Sequence, residues 1–292
     1  MLRYRVSGFL RYKIHARDVE PRPQSNDKVQ DTASRGECGS RRQGSRSWMN
    51  RSIAPRSSCL HPADSMLVQD LPSGDRPQRE RDITLSSGRA RLAGTLTVPD
   101  NAHALVVFTH GSGSSRHSPR GRYVAAILNA AGLGTLLFDL LTPEEERQRS
   151  NVFDIGLLAG RLLDVTSELR TMPGIPRLLG YFGASTGAAA ALYAAAVPGA
   201  PVAAIVSRGG RPDLAGPRLA QVRAPTLLIV GGLDHTVIEL NRAAQSELRC
   251  ENQLRIVPGA THLFEEPGTL DTVAHLASSW FTGHIGPAAP PT

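Results

Sequence analysis

The chain has 292 residues and a formal charge of +7, from 33 Lys+Arg against 26 Asp+Glu. That length suits one large domain or two small ones. The charge is unevenly placed: residues 1–65 hold 13 basic and 6 acidic residues, whereas residues 66–292 hold 20 of each, so a basic, nucleic-acid-binding globular domain is not expected.

Residues 1–65 are rich in Arg, Ser, Pro and Gln and have no sustained apolar period, the composition of a disordered segment. Their most apolar stretch, residues 6–10, is too short for a secretory core, and no run in the chain approaches a membrane span. Three readings are open. The segment is a basic arm for nucleic acid or anionic membrane, or a transit peptide, against which its six acids argue, or the product of an over-extended gene start. The last is preferred, with translation from Met66, because nothing in the segment has a structural logic. Residues 66–81 read as a linker, 82–283 as the folded domain and 284–292 as a Pro-rich disordered tail. Of Cys38, Cys59 and Cys250 only the last lies in the domain. A disulfide framework and a C-x-x-C metal pattern are therefore not expected there, which fits a reducing, cytoplasmic setting.

Residues 83–87 and 89–98 alternate partly around Gly88 and predict an antiparallel edge hairpin. The run 104–109 predicts the first buried parallel strand, and 123–131 a helix closed by Gly132. A strand over 134–139 leads into a loop over 140–151 carrying Glu144, Glu145 and Glu146. Residues 155–170 place Leu158, Leu162, Val165 and Leu169 on one helical face. Further strands are predicted over 178–182, 202–206, 225–230 and 254–257, with helices over 188–196, from about Thr236, and over 270–281. Regular strand–helix alternation implies an α/β fold, a mostly parallel sheet with helices on both faces.

The most informative run is Gly183-Ala184-Ser185-Thr186-Gly187, between an apolar strand and an alanine-rich helix. G-x-S-x-G in that context makes a tight turn that lifts a serine hydroxyl above the sheet edge. The glycines sit where strand and helix approach closely. Ser185 needs a base and an orienting acid, and on such a sheet the chain order is serine, acid, histidine. Asp234 lies just past the strand 225–230, and His262 ends the loop Pro258-Gly259-Ala260-Thr261-His262. Both therefore leave the same kind of strand end as Ser185. Asp213 is a second choice for the acid, and Asp234 also reads as a helix N-cap. His110 and His235 adjoin motifs but abut the wrong elements, His275 lies in a helix, and His284 falls in the tail. The amides of Thr186 and Ser112, the latter in His110-Gly111-Ser112-Gly113-Ser114-Ser115, are placed to hold a developing oxyanion. A phosphate loop of the G-x-x-x-x-G-K-[ST] type is excluded, since no lysine follows Lys28.

These motifs, with Gly231-Gly232-Leu233-Asp234 and Gly259-Ala260-Thr261-His262, resemble the α/β-hydrolase superfamily over residues 82–283. More narrowly the chain resembles its dienelactone-hydrolase-like branch, departing from dienelactone hydrolases proper in having Ser185 where they use cysteine. The resemblance implies the α/β-hydrolase fold. The short interval between residues 206 and 225, where related hydrolases insert a cap, implies that no cap domain is present. It implies hydrolysis of a small ester, thioester or lactone through an acyl-enzyme, with Ser185 as nucleophile, His262 as base and Asp234 as its orienting acid. No cofactor or metal is expected, and the partner is a small-molecule ester. An acyl transferase, a perhydrolase, or a catalytically silent binding fold are the alternatives. Arg208 and Arg116 are candidates to hold an acidic substrate group, against a plain reading as surface arginines in a lysine-poor chain.

Overall fold

The structure is a computed structural model that describes residues 78–286. Strands β1 (Gln78–Ser87) and β2 (Ala90–Pro99) form an antiparallel hairpin in which Ser87 pairs with Ala90. Strand β1 starts earlier than the pattern at Ile83 predicts, so part of the expected linker is strand. Next come β3 (Ala104–Thr109), helix α1 (Pro119–Ala130) and β4 (Gly134–Phe138). The expected loop over 140–151 contains two short helices, α2 (Pro143–Glu146) and α3 (Arg149–Val152). The cause is a capping box: the Glu145 amide donates to Thr142 Oγ1, and the Thr142 amide donates to the Glu145 carboxylate.

Helix α4 (Ile155–Leu169), β5 (Leu178–Ala184) and α5 (Thr186–Ala195) follow. Strand β6 is Ala204–Arg208, displaced toward its C-terminus from the predicted 202–206. The apolar pattern runs on through Val206, and Ser207 and Arg208 continue the ladder beside Gly183 and Ala184. Residues Pro212–Gln221 form 3₁₀ turns broken at Gly216, and they fill the interval in which a cap would enter. Strand β7 (Thr226–Gly231), α6 (His235–Glu247), β8 (Asn252–Val257) and α7 (Thr269–Ile285) complete the described chain. Helix α7 extends past the expected end of the domain and takes in His284, whose ring bonds the Trp280 carbonyl and reaches Glu251.

The eight strands run in the order β1-β2-β4-β3-β5-β6-β7-β8, antiparallel at the first two pairings and parallel from β4 onward. In β3 alternate side chains enter opposite cores. Leu105 and Val107 join the layer under α4 and α5, whereas Ala104, Val106 and Phe108 join the layer under α1 and α7. A strand covered on both sides must be apolar throughout, which is why β3, β4 and β7 are buried at every position.

One buried polar contact stitches β5 to α4. Thr166 Oγ1 donates to the Leu162 carbonyl at 2.7 Å, so Tyr181 Oη, 2.8 Å away, is the donor to Thr166. Burial pushes the Tyr181 phenol up to about 12, with the Thr166 bond acting the other way. A raised folded-state value means that this contribution is fully present below the unfolded value near 10 and is lost as pH climbs toward 12. The chain should lose roughly 2–3 kcal/mol over that window from this residue. Urea midpoints measured from pH 9 to 12 on the natural chain and on Tyr181→Phe check this. An alkaline loss of the same size in both would remove the assignment.

Candidate active site

The turn between β5 and α5 carries the first component. Ser185 sits at φ 50° and ψ −121°, a left-handed backbone that a non-glycine residue adopts only under constraint. The constraint is local. Its carbonyl accepts from the amides of Ala188 and Arg211, and its amide donates to the Arg208 carbonyl. A Cβ on Gly183 would lie 2.4 Å from Ala188 Cα, and one on Gly187 would lie 2.2 Å from the Thr109 carbonyl oxygen. Only glycines at these two positions let the strand, the helix and the end of β3 meet. The Ser185 hydroxyl heads α5 without capping it and lines an open cavity of about 570 Å³.

His262 lines the same cavity. Its Nδ1 lies 2.6 Å from Asp234 Oδ2, so Nδ1–H donates to the carboxylate and Nε2 carries the free lone pair. Asp234 holds the N-cap position of α6 but makes no capping bond there, because its carboxylate faces His262. The loop bearing His262 is anchored on both sides. The Thr261 amide donates to Glu266 Oε2, and that contact and its neighbours hold the Glu266 carboxyl below its usual range. Phe264 is buried at φ 57°.

The rival candidates are engaged elsewhere. Asp213 accepts both Arg211 Nε and Nη2, at 2.9 and 2.8 Å. His110 donates from Nδ1 to the Gly111 carbonyl and accepts the Leu140 amide at Nε2, which leaves neither nitrogen for a substrate. Of the two arginine candidates, Arg116 lines the cavity but is spent: its amide and guanidinium both bind Asp139. Arg208 is not. Its Nε and Nη1 are buried without a hydrogen-bond partner, and its guanidinium carbon lies 5.7 Å from the centre of the Phe264 ring.

The two amides assigned to an oxyanion differ. Among the described residues no acceptor engages the Thr186 amide. The Ser112 amide donates to Thr186 Oγ1 at 3.0 Å, a contact between residues 74 apart that no local pattern announces. To serve an oxyanion it must share or leave that hydroxyl. Among the described residues no three His, Cys, Asp or Glu side chains converge as a metal site, and no helix is long and apolar enough to cross a membrane.

An eight-stranded, mostly parallel sheet with helices on both faces, and a serine at a strained strand–helix turn, define the α/β-hydrolase fold. The chain is 53% identical to the crystal structure of a dienelactone hydrolase from Anabaena variabilis, covering 71% of this chain and 99% of that one at a TM-score of 0.69. This chain therefore belongs to the dienelactone-hydrolase-like branch of the α/β-hydrolase superfamily. Est1E from Butyrivibrio proteoclasticus shares the fold at 15% identity and a TM-score of 0.60, over 70% of this chain and 99% of that one. Two Mycobacterium tuberculosis proteins, from strains CDC 1551 / Oshkosh and H37Rv, are each 61% identical over 214 residues. Both are provisionally named phosphoribosyl transferases. The match takes in 73% of this chain and 48% of theirs, so the chain spans about half the length of these relatives. No family model matches the sequence.

Proposed function

We propose that the chain is a serine hydrolase that cleaves a small ester, thioester or lactone through an acyl-enzyme. The observation that carries this is that a strained, uncapped Ser185 and a His262 whose tautomer is fixed by Asp234 line one cavity. Ser185 Oγ attacks the carbonyl carbon as His262 Nε2 takes its proton. The tetrahedral oxyanion is held by the Thr186 and Ser112 amides. Its collapse expels the leaving group, which takes the proton back from His262. Water then repeats the cycle on the acyl-enzyme, and Asp234 stabilises the imidazolium in each half. His262 acts as base in its neutral form.

The name borne by the mycobacterial relatives, phosphoribosyl transfer, is a substitution at a sugar carbon with loss of pyrophosphate. A serine–histidine–aspartate arrangement has no evident part in that reaction, so the hydrolytic reading is preferred for this half of their length. The interval in which a cap would enter holds only a short 3₁₀ segment, which favours compact acyl groups over long lipid chains.

Labelling with a fluorophosphonate, followed by peptide mapping, tests the reading. The expected adduct is on Ser185. A folded protein that takes no label, or takes it at another residue, would sink the proposal.

A further inference from the structure

We propose that the substrate carries a phosphate group at its non-reacting end, and that Arg208, Arg120 and the start of α1 bind it. This deepens the serine-hydrolase reading and rests on it for the ester being cleaved. The observations concern the residues that line the cavity. Among the described residues three arginines line the cavity, Arg116, Arg120 and Arg208, and no aspartate or glutamate does. Arg116 is neutralised by Asp139. Arg120 meets only Glu265, at 3.1 Å on an exposed side chain, and its Nε is buried and unpartnered. Arg208 has no acidic partner among the described residues. Its Nε and Nη1 are buried in an otherwise half-buried residue, and burial, aided by the charge of Arg120, pulls its pKa down to about 10. It is still cationic at neutral pH. A buried cation with unmet N–H groups is costly unless something anionic completes it. The rest of the cavity lining has the matching character.

Helix α1 begins at Ser118 in that lining, its first turn holds no acidic residue, and Ser114, Ser115 and Ser118 line the same space. Its dipole adds partial positive charge at the cavity. The donors come from β6, from α1 and from the loop after β3. A carboxylate offers one charge and two oxygens in a plane. A phosphate monoester offers nearly two charges and three oxygens around a cone, and so answers two guanidiniums on different elements, one of them held only by an exposed carboxylate. Phe108, Val124, Leu137 and Phe182 add apolar lining to the same cavity, suited to a short carbon chain.

Binding to the Ser185→Ala chain separates this site from the chemistry. Calorimetry would compare the butyryl esters of glycerol 3-phosphate, of glyceric acid and of glycerol. The phosphate ester should bind about 30-fold more tightly than the glycerate ester, with the neutral ester weakest. Adding Arg208→Gln should bring all three within about threefold. Glycerate binding as tight as the phosphate ester would overturn the choice of phosphate. Equal binding of all three would make Arg208 a packing residue and overturn the site. Should Arg208→Gln fail to fold, the natural chain alone decides. Inorganic phosphate at constant ionic strength should raise its Tm, and no rise would count against the proposal. These readouts need no turnover, so a failure of fluorophosphonate labelling at Ser185 would defeat the hydrolase reading and leave the anion result standing.

Discussion

Replacing Ser185 with alanine is expected to lower kcat on a short ester by about 10⁵- to 10⁶-fold while leaving the fold intact. The fold should survive because the hydroxyl caps nothing and bonds to no described residue. The turn is held by backbone bonds to Ala188, Arg208 and Arg211, which alanine keeps. The same reasoning predicts a strongly non-additive pair. His262→Ala should cost nearly as much as Ser185→Ala, and the double variant little more than either. In the proposed mechanism nucleophile and base act as one unit, so removing the second member of a broken unit changes little. Steady-state rates on the purified variants, with circular dichroism to confirm folding, give the comparison. Residual activity of Ser185→Ala above about 1% would mean that another group attacks the ester.

Gly187→Ala should strike stability and activity together. Its new Cβ would lie 2.2 Å from the Thr109 carbonyl oxygen and 2.4 Å from that of His110, both main-chain atoms that cannot swing aside. The start of α5 would have to move off the end of β3. A cost of about 3 kcal/mol or more is expected, a fall in Tm of about 6–12 °C for a domain of this size. Turnover in the surviving folded protein should drop as well, because the displaced segments carry Ser185 and the Ser112 amide. Gly160→Ala is the control. Position 160 lies within α4 and its added methyl meets nothing within 4 Å, so helix propensity should leave that variant unchanged or more stable. Thermal melts of the two variants side by side would expose an error if Gly187→Ala melted with the natural chain.

Much of this architecture was legible because two periods dominate the chain. Unbroken apolar runs gave β3, β4 and β7, and the 3.6-residue spacing of Leu158, Leu162, Val165 and Leu169 gave α4. The element ends were less legible. Strand β6 runs through Ser207 and Arg208, whose places are decided by pairing with β5 rather than by their own character. Helices α2 and α3 rest on a four-residue capping box inside a polar stretch that otherwise reads as loop. The proposed Ser185, Asp234 and His262 were recoverable because each follows a recognisable strand, and the pairing of Asp213 with Arg211 removes its rival. The arginines were not separable by sequence. Arg116 and Arg208 look alike until Asp139, remote in the chain, is seen to neutralise one and leave the other open. The grip of Thr186 on the Ser112 amide likewise exists only in three dimensions. Residues 1–65 and 287–292, including the expected gene-start segment and most of the tail, lie outside the described residues.

Asp234 heads α6 at the position where an aspartate would ordinarily satisfy the first free amides, yet its side chain is turned to His262 instead. An N-cap of this kind is generally worth about 1 kcal/mol. The helix thus begins with a vacancy that a residue better suited to capping, and indifferent to the histidine, would fill. Directed evolution for heat resistance alone would find that exchange attractive, and would return sturdier proteins that no longer turn over ester. Selection for thermal tolerance in this scaffold should therefore hold position 234 fixed and look for gains at other helix starts.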